Sequence, residues 1–121
     1  MNNSWNEYRA IHWKLSESYI EEHLDELDIN ILCQTQKLSE TFIKRYKDII
    51  NWELISHYQV LSEDFIREYK DYVDWYLISR YQMLSESFIE EFKDYVYWEW
   101  FQYRNFSLSF MEKYSLLIKG E

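Results

Sequence analysis

Apolar and polar positions along this chain follow a pattern that recurs every 23 residues. Residues 61–83 read LSEDFIREYKDYVDWYLISRYQM, residues 38–60 read LSETFIKRYKDIINWELISHYQV, and residues 84–105 open with LSESFIEEFKDYVYWEW. Residues 15–37 form a more divergent copy, and FSLSFMEKY begins a further half-copy at Phe106, one residue early. We call the copies 15–37, 38–60, 61–83 and 84–105 units one to four. Short tandem copies of this kind predict one repeat domain, 1–121.

Each unit predicts two short helices, and unit three shows the signals most clearly. Ser62 and Asp74 are typical N-cap residues, and each precedes apolar side chains at helical spacing. Phe65, Tyr69 and Val73 are spaced by four residues and therefore line one helix face. We expect helices of roughly eight to eleven residues, which are marginal alone in water and must bury their apolar faces on neighbours. The corners between them should be very short.

The pattern therefore predicts an all-α fold in which two-helix tandem repeats stack as a small α-solenoid-like array. Residues 1–14 would form an N-terminal cap and residues 106–121 a C-terminal half-repeat cap. A compact orthogonal helical bundle is the alternative, and the hand of the array is left open. Composition supports helices, because the only glycine is Gly120 and there is no proline, whereas β structure needs many such turn residues.

The charge balance narrows the class of partner. Thirteen basic residues stand against 22 acidic ones, which gives a net charge of −9. This balance disfavours direct binding to nucleic acid and favours a basic protein partner. No apolar run approaches the ~20 residues of a membrane span, and a single cysteine, Cys33, excludes an internal disulfide. We expect a cytoplasmic protein with no membrane partner.

The residues that usually carry catalysis are scattered. His12, His23 and His57 lack the spacing of a metal site, and there is no glycine-rich phosphate loop. Cys33 stands where the next two units have serine, so we interpret it as a small packing residue rather than a nucleophile. We therefore predict that the chain is not an enzyme and has no cofactor and no metal site.

Several recurring residues have a structural and a functional interpretation. Trp52, Trp75 and Trp98 occupy one position of the unit, and Ile29 at the equivalent place in unit one indicates core packing rather than ligand stacking. Acidic residues recur at two positions, where they suit helix first turns and corners or could meet a basic partner. These residues are Glu17, Glu40, Glu63 and Glu86, and Asp25, Asp48, Asp71 and Asp94.

Residues that depart from the repeat are better candidates for binding, because the fold does not demand them. Aromatic residues accumulate in units three and four at positions that are polar or aliphatic elsewhere, and exposed Tyr and Trp are typical interface anchors. Glu90 and Glu91 likewise replace Lys44 and Arg45. The predicted partner-binding residues are Tyr72, Tyr76, Tyr95, Tyr97, Trp100, Glu63, Glu86, Glu90, Glu91 and Asp94.

The units over about Leu38 to Tyr103 resemble a short helical repeat of uncharacterised phage and giant-virus proteins, through Leu-Ser-Glu-x-Phe-Ile followed by Asp, Trp and Ile-Ser-x-Tyr-Gln. The resemblance implies an interaction scaffold and carries no catalytic residue with it. A small, acidic chain of viral origin is also similar to host-defence inhibitors of the anti-CRISPR type. That similarity implies a nucleic-acid-binding host protein, such as a CRISPR effector, as the partner.

Two functions are thus predicted. The first is a non-catalytic acidic protein-binding module, a viral inhibitor that occludes the basic nucleic-acid-binding surface of a host defence protein. The alternative is a structural scaffold that self-associates through its aromatic face, in the simplest case as a homodimer. Size in solution would distinguish them, since a monomer argues against the second.

Overall fold

The computed structural model describes residues 4–120, and within this range the chain contains helices and no β-strand. The all-helical fold predicted from the repeat is therefore confirmed. No helix among these residues has the length and apolar character needed to cross a membrane. The helices are α1 (Ser4–His12), α2 (Glu17–Glu22), α3 (Ile29–Thr35), α4 (Glu40–Arg45), α5 (Trp52–Tyr58), α6 (Glu63–Glu68), α7 (Trp75–Tyr81), α8 (Glu86–Glu91), a 3-10 helix (Trp98–Phe101) and α9 (Leu108–Lys119).

Side-chain caps start the helices where the sequence predicts them. The Ser62 hydroxyl accepts a hydrogen bond from the Phe65 N–H at 3.1 Å, and the Asp74 carboxylate accepts one from the Leu77 N–H at 3.1 Å. Each cap satisfies an N–H that the first helical turn leaves without a partner. The same arrangement recurs at Ser16, Ser39, Ser85 and Ser107 for first helices, and at Asp28 and Asn51 for second helices.

The predicted helix lengths are wrong, because the first helix of each unit has six residues and the second helix of units one to three has seven. The ninth residue of the unit leaves the helical region: Tyr69 has φ −106° and ψ 32°. A separate turn follows, closed by the Val73 N–H on the Tyr69 carbonyl at 3.1 Å. Tyr114 repeats this kink inside α9, with φ −115° and ψ 20°. Sequence periodicity continues through the kink, so it could not reveal the break.

The second helices form a row in chain order. Helix α3 contacts α5, α5 contacts α7, and α7 contacts the 3-10 helix, which in turn contacts α9. The first helices supply the largest buried side chains, including Phe42, Phe65 and Phe88, each at most 2% exposed. Burial of such an aromatic side chain stabilises the unit that carries it by roughly 1.5–3 kcal/mol.

A buried glutamine connects each of units one to three to the residues that precede it. The Gln59 amide nitrogen donates to the carbonyls of Cys33 and Gln36 at 2.8 and 2.7 Å, and its oxygen accepts from the Leu38 N–H at 2.9 Å. Gln36 and Gln82 make the equivalent three bonds. These bonds satisfy main-chain groups in the corners, which would otherwise be buried without partners.

Arg104 takes the place of this glutamine in unit four. Its Nη2 donates to the carbonyls of Ser79 and Gln82 at 2.8 and 2.9 Å. Partial burial lowers the pKa of the Arg104 guanidinium. The longer side chain explains how the unit tolerates the one-residue slip in the repeat, because it reaches the same carbonyls from one position earlier.

Helix α1 is held in the same way as a second helix. The Gln36 amide nitrogen donates to the carbonyls of Ala10 and Trp13, both at 2.8 Å. These carbonyls lie 26 and 23 residues before the glutamine, as the carbonyls of Cys33 and Gln36 do for Gln59. The N-terminal residues, which look irregular in sequence, therefore occupy a regular place in the row.

Candidate partner-binding surface

Three elements bring aromatic and cationic side chains into one continuous surface row. Tyr76 of α7 packs edge-on against Tyr97 at 5.3 Å and against Trp100 of the 3-10 helix at 5.4 Å between ring centres. The Arg80 guanidinium lies 4.6 Å from the Trp100 ring centre and 4.9 Å from that of Tyr81. We call this row the aromatic ridge, and its members are His57, Tyr58, Tyr76, Arg80, Tyr81, Tyr97 and Trp100.

The ridge continues onto α5 through a histidine. The His57 ring stacks between Tyr58 and Tyr81, with ring centres 3.9 Å from each. Tyr58 and Tyr97, at opposite ends of the ridge, are 46% and 45% exposed. Contacts between the rings fix the side chains in place, so the surface is ordered before any partner arrives, which lowers the entropic cost of binding.

Tyr97 stands at a helix start where the other units have a capping side chain. Asp28, Asn51 and Asp74 each accept a main-chain N–H at this position, whereas Tyr97 makes no side-chain cap. The segment that follows is a four-residue 3-10 helix instead of a seven-residue α-helix. Loss of a cap typically costs about 1 kcal/mol, so the tyrosine is present at the expense of local stability.

Trp100 is a second locally unfavourable feature of unit four. Its ring is partly exposed and packs on the core, but its indole N–H is buried and lacks a hydrogen-bond acceptor among the described residues. A buried donor without an acceptor costs roughly 1–3 kcal/mol. Leu54 and Leu77, at the equivalent positions of units two and three, present no such group. Two local costs therefore coincide in the exposed aromatic part of one unit.

The other two predicted tyrosines lie apart from the ridge. Tyr72 contacts Trp52 with ring centres 5.3 Å apart, and Tyr95 contacts Trp75 at 5.1 Å. Each thus packs on the tryptophan of the preceding unit while remaining about two-fifths exposed or more, at 46% and 39%. Their contacts follow the repeat, so they serve stacking between units as well as forming surface.

The recurring tryptophans are partly buried and pack against the core, as predicted. The Trp75 ring stacks on that of Phe92 with ring centres 5.2 Å apart, and its indole N–H donates to the Lys70 carbonyl at 2.9 Å. Trp52 and Trp98 make the equivalent bonds to the carbonyls of Lys47 and Lys93. The indole therefore joins the corner of its own unit to the aromatic face of the next.

The carboxylates of the candidate residues Glu63 and Glu86 accept hydrogen bonds from the following unit. Glu63 accepts the N–H of Ser85 at 2.6 Å and its hydroxyl at 2.9 Å, and Glu86 does the same for Ser107 at 2.5 and 2.7 Å. Glu17 and Glu40 bind the next capping serine equivalently. This recurring glutamate ladder therefore joins neighbouring units.

Glu90 and Glu91 form ion pairs with neighbouring units. Glu91 pairs with Arg67 at 2.8 Å, and Glu90 pairs with Lys113 and accepts from the Tyr114 hydroxyl at 2.8 Å. The hydrogen bond from Arg67 holds the pKa of Glu91 below its usual value, and that from Lys113 does the same for Glu90. Asp94 is exposed.

The groups with catalytic potential remain separate. Cys33 is buried, and this burial raises the pKa of its thiol, with a backbone hydrogen bond from Asn51 acting in the opposite direction. Within residues 4–120, no cluster of three His, Cys, Asp or Glu side chains could hold a metal ion. What the described surface offers is stacking, cation–π contact and hydrogen bonding by tyrosine hydroxyls.

The sequence predicts three of the seven members of the ridge as binding residues, Tyr76, Tyr97 and Trp100, and these three lie together. His57, Tyr58, Arg80 and Tyr81 follow or vary within the repeat in ways that do not mark them as candidates. The signal was present in the helical spacing, since Tyr76 and Arg80 are four residues apart and therefore share a side of α7.

Comparison of the chain with protein-family models, with curated proteins and with solved structures finds no match.

Proposed function

We propose that this chain is a non-catalytic protein-binding module whose aromatic ridge is the contact surface. The observation that carries the proposal is Tyr97, which stands in place of a helix cap and packs edge-on against Tyr76 at the surface. Departures from local folding rules in an otherwise regular protein concentrate at functional sites. Exposed Tyr, Trp and Arg side chains held in a row are also the residue types that dominate binding energy at protein interfaces.

The partner we propose is a basic protein that normally binds nucleic acid. The net charge of −9 attracts such a surface over distance. Exposed Asp94 and Glu99 flank Tyr97 in sequence, so an arginine of the partner could stack on the tyrosine ring and pair with a carboxylate. The proposal does not require the glutamate ladder or the paired Glu90 and Glu91. The repeat resembles those of phage and giant-virus proteins. In a virus, this binding would inhibit a host defence protein such as a CRISPR effector.

The experiment is affinity capture from a nuclease-treated lysate of the native host, washed over a salt series and identified by mass spectrometry. The proposal expects one basic nucleic-acid-binding protein, released as salt rises because the long-range attraction is screened. The variant Tyr97→Asp should fail to capture this protein. The matched control is Tyr103→Asp, which changes a fully exposed tyrosine outside the ridge and should retain the partner.

A second set of variants tests the tyrosines of the ridge and Tyr95, which lies apart from it. Tyr95→Ala with Tyr97→Ala should abolish capture without unfolding the chain, and Tyr76→Ala should weaken it. Capture that survives Tyr97→Asp and the double variant alike would remove the ridge from the proposal. Recovery of the bait alone, or only of its own untagged copies, would favour the self-associating scaffold.

A further inference from the structure

The first main-chain N–H of each unit has a side-chain acceptor in units one to three and lacks one in unit four. In unit three, the Gln82 Oε1 accepts the Leu61 N–H at 3.1 Å, and the N–H groups of Leu15 and Leu38 donate to glutamines in the same way at 2.9 Å. Leu84 opens unit four and is only 9% exposed. Its N–H has no acceptor among the described residues, which is costly for a donor in a buried corner.

The acceptor is absent because Arg104 replaces the glutamine in unit four. A glutamine amide both donates and accepts hydrogen bonds, whereas a guanidinium only donates. Arg104 keeps the two bonds to the carbonyls of Ser79 and Gln82, but nothing replaces the amide oxygen. The corner between units three and four therefore presents donors from Leu84 and Arg104 and lacks the acceptor that the earlier corners contain.

Arg104 is also a partly buried cation without a counter-ion. Partial burial lowers the pKa of its guanidinium, and none of the ion pairs among the described residues includes it. Its position is fixed by the two carbonyl bonds and by the Phe101 ring, whose centre lies 5.0 Å from the guanidinium carbon. The remaining N–H groups of Arg104 have no acceptor among the described residues and are not buried, so a ligand can reach them. An anion there would offset the lost hydration of the charge.

A hollow of about 510 Å³ lies beside these donors, between the two corners at Leu84 and Arg104. This volume is within the range of small-molecule sites, which is about 300–1,000 Å³. Met83 and Phe106 line the hollow with apolar surface, so a ligand that fills it should carry an apolar body beside its anionic group.

Glu86 also lines the hollow and restricts the charge of the ligand. Both of its carboxylate oxygens accept hydrogen bonds from Ser107. A negative charge so close repels a dianion such as phosphate more strongly than a monoanion. A planar carboxylate also matches the fork of guanidinium N–H groups.

The equivalent hollow between units one and two shows what unit four has changed. It is lined by Leu38, Gln59 and Val60 among other residues. There Gln59 satisfies the Leu38 N–H as well as two carbonyls, so no donor in this set is left for a ligand. The net charge of −9 disfavours anions over most of the surface, so selective binding depends on the donors of the unit-four corner.

We propose that the corner between units three and four binds a carboxylate with an apolar body, whose oxygens accept from the Arg104 guanidinium and the Leu84 N–H. Free organic acids and peptide C-termini both present this group. No member of the aromatic ridge lines the hollow, so the inference concerns a different site from the proposed function and does not depend on it.

Titration of the ¹⁵N-labelled chain with benzoate, followed by NMR, tests the site. We expect a saturable shift of the Leu84 amide and the Arg104 side-chain N–H signals, with a dissociation constant of about 1 mM. The amides of Leu38 and Leu61 are controls in the same spectrum and should not shift, because glutamines already accept their protons. Benzamide has the ring without the charge and should bind at least tenfold more weakly, and phosphate should bind more weakly than benzoate.

Variants at the hollow provide a second test. Met83→Glu adds a negative charge at a side chain that is 91% exposed, so it should leave the fold intact and weaken benzoate binding at least threefold. The matched control is Val60→Glu, which changes an equally exposed side chain at the equivalent hollow and should leave benzoate binding unchanged. Arg104→Met should abolish binding, with circular dichroism recording whether this variant folds.

A short peptide that ends in phenylalanine, compared with its C-terminal amide, distinguishes the two sources of the carboxylate. The free acid of the peptide should bind and the amide should not. Tighter binding of this peptide than of benzoate assigns the site to a peptide C-terminus, and weaker binding assigns it to a free organic acid.

Several results would overturn the proposal. One is the absence of a saturable Leu84 shift up to about 50 mM benzoate. Others are equal shifts at Leu38, Leu61 and Leu84, or binding of benzamide or phosphate as tight as that of benzoate. The last is benzoate binding that Met83→Glu leaves unchanged, a result that stands whether or not Arg104→Met folds.

Discussion

The carboxylate of Glu63 binds the start of the next unit by accepting both the N–H and the hydroxyl of Ser85, at 2.6 and 2.9 Å. Ser85 in turn caps α8 by accepting the Phe88 N–H at 3.2 Å. One glutamate thus satisfies a main-chain donor and orients the cap of the following helix. Charge-assisted bonds of this kind are about twice as strong as neutral ones.

We predict that Glu63→Ala destabilises the chain by about 1–2 kcal/mol, because the Ser85 N–H loses its acceptor and the cap loses its support. Chemical denaturation monitored by circular dichroism measures this loss. Glu53→Ala is the matched control, because Glu53 is an exposed glutamate in the first turn of α5. Equal stability of the two variants would show that the glutamate ladder contributes nothing to the fold.

The buried glutamines should be less tolerant still. Gln59→Leu leaves the carbonyls of Cys33 and Gln36 and the N–H of Leu38 without their partner, and we expect a loss of about 2–4 kcal/mol. The control is Gln34→Leu, in which the exposed glutamine bonds only to its own helix. A loss below about 1 kcal/mol for Gln59→Leu would mean that water replaces the missing bonds.

The ion pair between Arg67 and Glu91 predicts a defined pH dependence. The pKa of Glu91 in the folded chain is lowered from 4.5, chiefly by the hydrogen bond from Arg67. A lowered folded pKa contributes stability that is present above the unfolded value and is lost as pH falls through the folded value. The wild type should therefore exceed Glu91→Gln in stability at neutral pH, and the difference should shrink below about pH 4.5.

Thermal unfolding of both proteins over about pH 7 to 3 checks this prediction. Glu53→Gln serves as the exposed comparison. A stability difference between wild type and Glu91→Gln that does not change with pH would contradict the assignment of the pair.

The local features of the fold could be predicted from the sequence, but the contacts between units could not. Ser62 and Asp74 cap helices as predicted, because a cap acts within three residues of its own position. The Glu63–Ser85 contact spans 22 residues and depends on how one unit rotates on the last, which periodicity does not encode. The starts of the second helices could be predicted for the same reason, because their caps are also local.

Comparison of equivalent positions in different units gave a misleading picture of the charged candidates. Glu90 and Glu91 look like unneeded acidity when compared with Lys44 and Arg45 at the same positions. In the structure, the seventh residue of one unit faces the eighth residue of the next, so charge reversal in one unit matches reversal in its neighbour. Among the aromatic candidates, Tyr76, Tyr97 and Trp100 lie together, whereas Tyr72 and Tyr95 each pack on the tryptophan of the preceding unit.

The substitution Tyr97→Asp should stabilise the fold and abolish partner binding, because unit four lacks a side-chain cap at this position. Tyr97→Asp restores an acceptor at the position that Asp74 occupies in unit three. We expect stabilisation by about 1 kcal/mol, offset in part by the lost edge-on contact of Tyr97 with Tyr76. Asp74→Ala should show the converse loss of about 1 kcal/mol, and both are measured by thermal unfolding. A destabilised Tyr97→Asp variant would indicate that Tyr97 serves packing rather than binding.

The measurement that tests the central claim most directly is affinity capture by the wild type and by Tyr97→Asp, each from the same lysate and each with its unfolding temperature recorded. The account predicts that Tyr97→Asp is at least as stable as the wild type and fails to retain the partner protein. Equal retention by the two would contradict the claim that the aromatic ridge is the binding surface.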